Sequence, residues 1–321
     1  MRNRMVCLII LLSLTSTPVL AQTPDELIAI RGIYAQAIED NNIDGILASF
    51  TDDGVHDMTV GPPVYISDGS MRAFWEDQFA SSPAWHTEAG RVISDGNVVV
   101  VEHKAFGTNV VVAETDKSWV WPHIDIFDFE GNKIKHLMSY GDYASALVQF
   151  GLAPAPDMPD LVPSIVVPDP ESTGLSPMEA NAEHIRRWNS HDAASVATMY
   201  HGDLTMFPGP LGMVLDRAAM TAMNEMYFVA FPNVAMEVVR AIDLGDGWVV
   251  TELIARATHQ QEFMGIPAQG YPTEIRVSWL MRHNADGVVV EGSFYYDNLT
   301  LINQMTTAPY PLDGIWISTI P

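Results

Sequence analysis

The chain has 321 residues, 40 acidic against 16 basic side chains, a formal net charge of −24 and one cysteine. That length corresponds to roughly two domains of about 100–200 residues each, and 48% hydrophobic residues argue against wholesale disorder. So acidic a chain is poorly suited to nucleic acid or anionic lipid, both of which recruit patches of Lys and Arg.

Arg2 and Arg4 precede an apolar run, Val6 to Leu14, and small residues follow up to Ala21. This is the pattern of a secretory signal peptide over residues 1–21. The run is far shorter than the about 20 apolar residues of a membrane span. Cleavage after Ala21 would remove Cys7 and both arginines, leaving a cysteine-free chain of charge about −26. A bacterial periplasmic or secreted protein is expected, with no membrane attachment after cleavage and a core that does without disulfides.

Residues 22–150 and 178–305 follow one plan. Each opens with an amphipathic helix, about 25–40 and 178–190. In the first, Leu27, Ile30, Tyr34 and Ile38 recur at helical spacing. A short helix follows (44–50; 193–200), then a Gly-Pro loop and a third helix (71–79; 217–230). Strands fill the rest: 98–107 and 248–257, each after an Asp-Gly turn, then 119–129 and 275–283, then 133–140 and 288–296. Between the halves, residues 151–177 hold seven prolines and read as an extended linker. Residues 306–321 form a C-terminal tail. Helices first and a meandering antiparallel sheet afterwards indicate an α+β fold with two tandem domains.

There is no His-Glu-x-x-His, no cysteine pair, no Gly-x-Ser-x-Gly and no glycine-rich phosphate loop. His123 and Asp125 share a strand face, but two ligands do not make a metal site, so neither metal nor cofactor is expected. Acid/base residues on strand faces remain. Strand alternation puts Trp119, Trp121, His123, Asp125 and Phe127 on one face. It likewise groups His136, Met138, Tyr140 and Asp142. In the second half Ile275, Val277, Trp279, Met281 and His283 form one set, and Glu291, Ser293, Tyr295 and Asp297 another. Aromatic walls with a few carboxylates and histidines suit an apolar small-molecule pocket. Burial there would raise an aspartate's pKa and poise it for proton transfer. An aspartate that ends a strand also caps the helix after it, so capping stands beside catalysis for Asp142 and Asp297. Glu102 and Glu252 occupy matching strand positions and fit a solvated face or an interface.

The stretch from Ala257 to Gly270, with Phe263-Met264-Gly265-Ile266-Pro267 inside it, resembles the strand–loop signature of SnoaL-like polyketide cyclases. Asp286-Gly287-Val288 and Tyr296-Asp297-Asn298-Leu299 resemble that family's closing hairpin and tail helix. Residues 25–150 are similar more weakly, in the order of elements and in Tyr140-Gly141-Asp142. The resemblance implies two cone-shaped domains of the nuclear-transport-factor-2-like type. It also implies pairing of cones, as an internal pseudo-dimer or a homodimer. By resemblance Asp297 is the acid/base, with His259 and His283 as pocket partners and Asp142 and His123 as first-half counterparts. Trp279, Tyr295, Phe263, Trp121, Asp125 and Tyr140 would then contact substrate. The first half lacks the Phe-x-Gly-Ile-Pro loop and has Asn109 where His259 stands, which points to another ligand or a structural role.

The leading expectation is a cofactor-independent acid/base enzyme acting on a small apolar or aromatic carbonyl compound. The alternatives are a periplasmic binding protein without chemistry and a structural module working through protein contacts.

Overall fold

The computed structural model describes residues 22–82, 84–108, 118–150, 153, 155, 157–209 and 212–307. The segment expected to be a signal peptide, Asn109 and the tail beyond residue 307 lie outside them.

The first domain opens with α1 (Pro24–Glu39), begun by a Thr23/Glu26 capping box that satisfies two backbone donors. α2 (Ile43–Ala48) and α3 (Ser70–Ser81) complete its helical layer, with α4 (Tyr143–Phe150) at the end. Its sheet is built from β1 (Phe50–Met58), β2 (Val64–Tyr65), β3 (His86–Asp95), β4 (Val98–Thr108), β5 (Ser118–Glu130) and β6 (Lys133–Gly141), in the order β2-β1-β6-β5-β4-β3. The second domain repeats the scheme. α5 (Pro177–Trp188), α6 (Ala193–Ala197) and α7 (Arg217–Ala230) cover β7 (Tyr200–Pro208), β8 (Ala235–Asp243), β9 (Trp248–Thr258), β10 (Pro272–His283) and β11 (Val289–Tyr295), ordered β7-β11-β10-β9-β8. α8 (Asn298–Thr306) follows.

The sheets are mixed rather than purely antiparallel. β1 runs parallel to β6, and β7 parallel to β11. Both parallel strands were absent from the sequence reading, because Phe50–Met58 and Tyr200–Pro208 carry polar residues and a glycine in place of a strong apolar alternation. β3 and β8 hide for a related reason: they lie at sheet edges, and several of their residues are exposed.

In each domain one sheet face closes over the helices. Leu27, Tyr34, Met71 and Trp75 meet Val99, Val101, Phe127 and Phe129 in the first. Trp188, Met220, Met223 and Phe228 meet Leu253, Val277, Trp279 and Phe294 in the second. The opposite sheet faces pack on each other. Val98, Val100, Ile124, Ile126, Met138 and Tyr140 of the first domain share one apolar cluster with Leu244, Val250, Leu280 and Tyr295 of the second. The described residues of the proline-rich segment before α5 carry neither helix nor strand and are laid along the second domain. Glu171 N–H donates to the Thr198 carbonyl (2.9 Å) and Thr173 N–H to the Asp286 carbonyl (2.8 Å), while Leu161 and Ile165 pack on the core.

Candidate functional sites

The second domain holds a cavity under the concave face of the sheet. β10 contributes Ile275, Val277, Trp279 and Met281, four residues of one alternating face, as the period of two requires. α7 adds Met220, Met223, Asn224 and Tyr227, and β9 adds Ala255 and Ala257. The hydroxyls of Tyr227 and Tyr296 pair with each other, Thr273 adds a hydroxyl on β10, and three further polar groups converge at one place. Tyr200 Oη lies 3.2 Å from His184 Nε2 and accepts from Asn224 Nδ2 at 3.2 Å, while Trp188 Nε1 donates to Asn224 Oδ1 at 3.3 Å. Burial pulls the His184 pKa down to about 3, helped by the charges of His283 and Arg187, so the imidazole is neutral at physiological pH. Its Nδ1 has no protein partner. Burial likewise raises the Tyr200 phenol. None of the lining residues is an aspartate, glutamate, lysine or arginine.

The sequence-predicted residues divide around this cavity. Trp279 lines it, its ring 5.1 Å from that of His184. Phe263 is buried one layer further out, packing on Tyr227 and Phe231 with ring centroids 5.1 Å away in each case. His259 is fully buried beside Phe231, and His283 lies at the end of β10; neither lines the cavity. Burial depresses both imidazoles, His283 to about 4. Tyr295 and Tyr140 belong to the other sheet face. Tyr295 Oη donates to Glu102 Oε1 across the domain junction (3.1 Å), and Tyr140 Oη donates to Glu252 Oε1 in the reciprocal contact (2.8 Å). Arg91 then pairs with Glu102 and Glu291, and Arg240 with Glu252 and Asp128. The expectation that Tyr295 and Tyr140 line a pocket inside a cone is therefore corrected: alternation groups residues by face, but both faces of these sheets are buried.

Asp142 and Asp297 meet at the same junction. Asp297 caps α8, its Oδ2 accepting from Thr300 N–H (2.7 Å), and its Oδ1 accepts from Tyr143 N–H at the start of α4 (2.8 Å). Asp142 answers in kind: its Oδ1 accepts from Ala144 N–H (3.1 Å) and from Asn298 N–H at the start of α8 (2.9 Å). Each aspartate thus caps a helix of each domain. Desolvation raises both, and the neighbouring Asp297 charge helps push Asp142 up to about 7.

Beside its apolar core, the interior of the first domain holds a polar cluster. Asp125 Oδ2 accepts from His103 Nε2 (2.9 Å) and lies 3.9 Å from His123 Nε2, while Oδ1 accepts from Ser139 Oγ (2.6 Å). His56 Nε2 in turn bonds Ser139 Oγ at 3.0 Å. Burial opposes the Asp125 charge, but His103 and His123, with the hydrogen bonds from His103 and Ser139, hold its carboxyl well below the usual range. His123 is drawn down to about 3 by burial and by His103, and its ring stacks on Trp121 at 4.4 Å.

The groups missing from the sequence reading are His184, Tyr200 and Asn224 in one domain and His56, His103 and Ser139 in the other. Two carried a signal. Asn181, His184, Ile185 and Trp188 form one helical stripe, so His184 stands on the apolar face of α5. Val99, Val101, His103 and Ala105 alternate on one face of β4, which places His103 indoors.

Residues 30–137 match the model of the SnoaL-like domain, and residues 179–305 match that of the SnoaL-like polyketide cyclase. The chain is a tandem of two SnoaL-like domains. Each is an α+β unit in which helices cover one face of a mixed sheet. Similar solved structures include IdmH from Streptomyces antibioticus, a proposed polyketide cyclase, at 28% identity and a TM-score of 0.37, over 40% of this chain and 98% of that one. AclR from Streptomyces galilaeus, a proposed hydroxylase, aligns at 24% identity and a TM-score of 0.38 over 42% and 87%. A ketosteroid isomerase-like protein from Catenulispora acidiphila aligns at 19% and 0.36 over 41% and 96%. No curated protein matches in sequence. Among the described residues no helix is long and apolar enough to cross a membrane.

Proposed function

We propose that this tandem SnoaL-like protein is exported and takes up a small, uncharged, largely apolar or aromatic compound in the cavity of its second domain. One observation carries the reading: the lining is apolar and aromatic without a charged side chain, the Tyr227 and Tyr296 hydroxyls pair with each other, and His184, Tyr200 and Asn224 form a polar corner. A cavity without charged side chains penalises a charged ligand, which would lose its hydration without gaining a counter-charge. A carbonyl or hydroxyl oxygen facing the corner, by contrast, gains a hydrogen bond there. Such a pocket, mostly apolar with a few convergent polar groups, is the usual form of a small-molecule site.

Binding is better supported than turnover at Asp297, whose two oxygens are occupied by Thr300 and Tyr143 N–H groups. Export rests on the Arg2/Arg4 start and the apolar run up to Ala21, and a mature chain beginning at Gln22 would agree with it. The binding reading is tested by thermal shift with 2-acetylnaphthalene and with 2-naphthoate. The neutral ketone raises the Tm and the carboxylate does not. Equal stabilisation by both, or by neither, contradicts the proposal.

A further inference from the structure

The polar cluster inside the first domain has a role outside that reading. We infer that His103, His123 and Asp125 form a binding site for a divalent transition-metal ion, most suitably Zn²⁺, with a coordination position left open. The three ligand atoms lie within 4.8 Å of one another, and all three residues are buried, at 4–7% exposure.

The directions of the lone pairs carry the argument. His123 Nδ1 donates to the Trp121 carbonyl at 3.0 Å, so the ring's proton sits there and Nε2 presents its lone pair. That lone pair faces Asp125 Oδ2 at 3.9 Å, an acceptor opposite an acceptor in a desolvated place. A cation between them relieves the conflict. His103 Nε2 sits on the third side, 2.9 Å from the same oxygen. Its Nδ1 has no partner and can carry the ring's proton when Nε2 turns to a metal. Zn–N and Zn–O bonds of about 2.0–2.1 Å at tetrahedral angles put ligand atoms roughly 3.4 Å apart. The observed 2.9 and 3.9 Å lie on either side of that figure, and the three ligand atoms already stand within 4.8 Å of one another.

Asp125 and His123 have outer supports in place. Ser139 Oγ fixes Asp125 Oδ1, and His56 fixes Ser139. Carboxylate ligands of metal sites are held in this way by hydrogen bonds from behind. The donor set contains two imidazoles, one carboxylate and no thiolate, which suits Zn²⁺ or Fe²⁺ and leaves a site of the three-ligand, open type. Register explains how the cluster forms. His103 lies directly opposite His123 in the β4–β5 ladder, and Asp125 directly opposite Ser139 in the β5–β6 ladder. Arg31, buried on α1, brings a positive charge toward Asp125.

The test uses the full chain from Gln22 onward without affinity-tag histidines. Zn²⁺ titration by calorimetry gives one ion per chain at micromolar affinity or tighter, and Co²⁺ gives the visible absorption of a four-coordinate site. His103→Gln and Asp125→Asn each lower affinity at least about 100-fold, and Ser139→Ala about 10-fold. His201→Gln, at a half-buried position outside the cluster, leaves it unchanged. Circular dichroism verifies folding; should Asp125→Asn fail to fold, the His103 and Ser139 variants decide. No stoichiometric Zn²⁺, or affinity and Co²⁺ spectrum unaltered in folded His103→Gln, overturns the proposal.

Discussion

Asp142 and Asp297 hold their carboxyl groups where charge is penalised, at 4% and 2% exposure. Two helix N-termini and four backbone N–H donors offset part of that cost without abolishing it, and the like charges repel. The pair therefore keeps a proton that the unfolded chain has already released. With the folded pKa of Asp142 at about 7 against an ordinary 3.8, the native state binds more protons than the unfolded state between those values. Stability then falls as pH rises through that window and levels off above about 7. The three-unit difference corresponds to at most about 4 kcal/mol. We predict a Tm that declines between pH 5 and 7.5, and a shallower decline in Asp142→Asn, whose amide oxygen still accepts at the cap. A Tm rising with pH over that range would contradict the assignment.

At the scale of elements, α4 and α8 are bound to each other by exchanged caps: the aspartate before each helix also accepts the first N–H of the other. An ordinary cap is worth about 0.5–2 kcal/mol. Asp297→Ala removes acceptors from two helices in two domains, so a loss of about 2–4 kcal/mol in urea unfolding is expected. A loss below about 1 kcal/mol would mean that the junction does not depend on the exchange. The aspartates and the helices after them were legible from the Tyr-Gly-Asp and Tyr-Asp-Asn sequences, with capping as one of two open readings. The exchange between them was not, because a cap is read from residues within a few positions, whereas Asp142 and Asn298 stand 156 apart. The same limit hid His103: its neighbours in sequence are a strand of valines, and its meaning comes from His123 across the ladder. β1 and β7 escaped because their partners, β6 and β11, supply the pairing that their own composition does not announce.

At the scale of the molecule, two domains share a buried junction, and this changes what an aromatic strand face means. Repeats, order of helices and α+β class could be read from periodicity and turns. Inside and outside could not, since Tyr140 and Tyr295 look as suited to a pocket as Trp279 does. Only the packing of one sheet on the other separates them, Tyr140 and Tyr295 reaching across to Glu252 and Glu102 while Trp279 faces the helices. The two interiors also diverge: one is apolar with a His-Tyr-Asn corner, the other carries a buried polar cluster around Asp125 beside its apolar core. The proposed uptake of a neutral aromatic compound therefore belongs to the second domain. Calorimetric titration of the chain from Gln22 onward with 2-acetylnaphthalene, beside an Ala257→Phe variant that fills the cavity, tests this most directly. One binding site that is lost in the folded variant is the predicted result. No binding to either protein, or binding that survives the filled cavity, would contradict it.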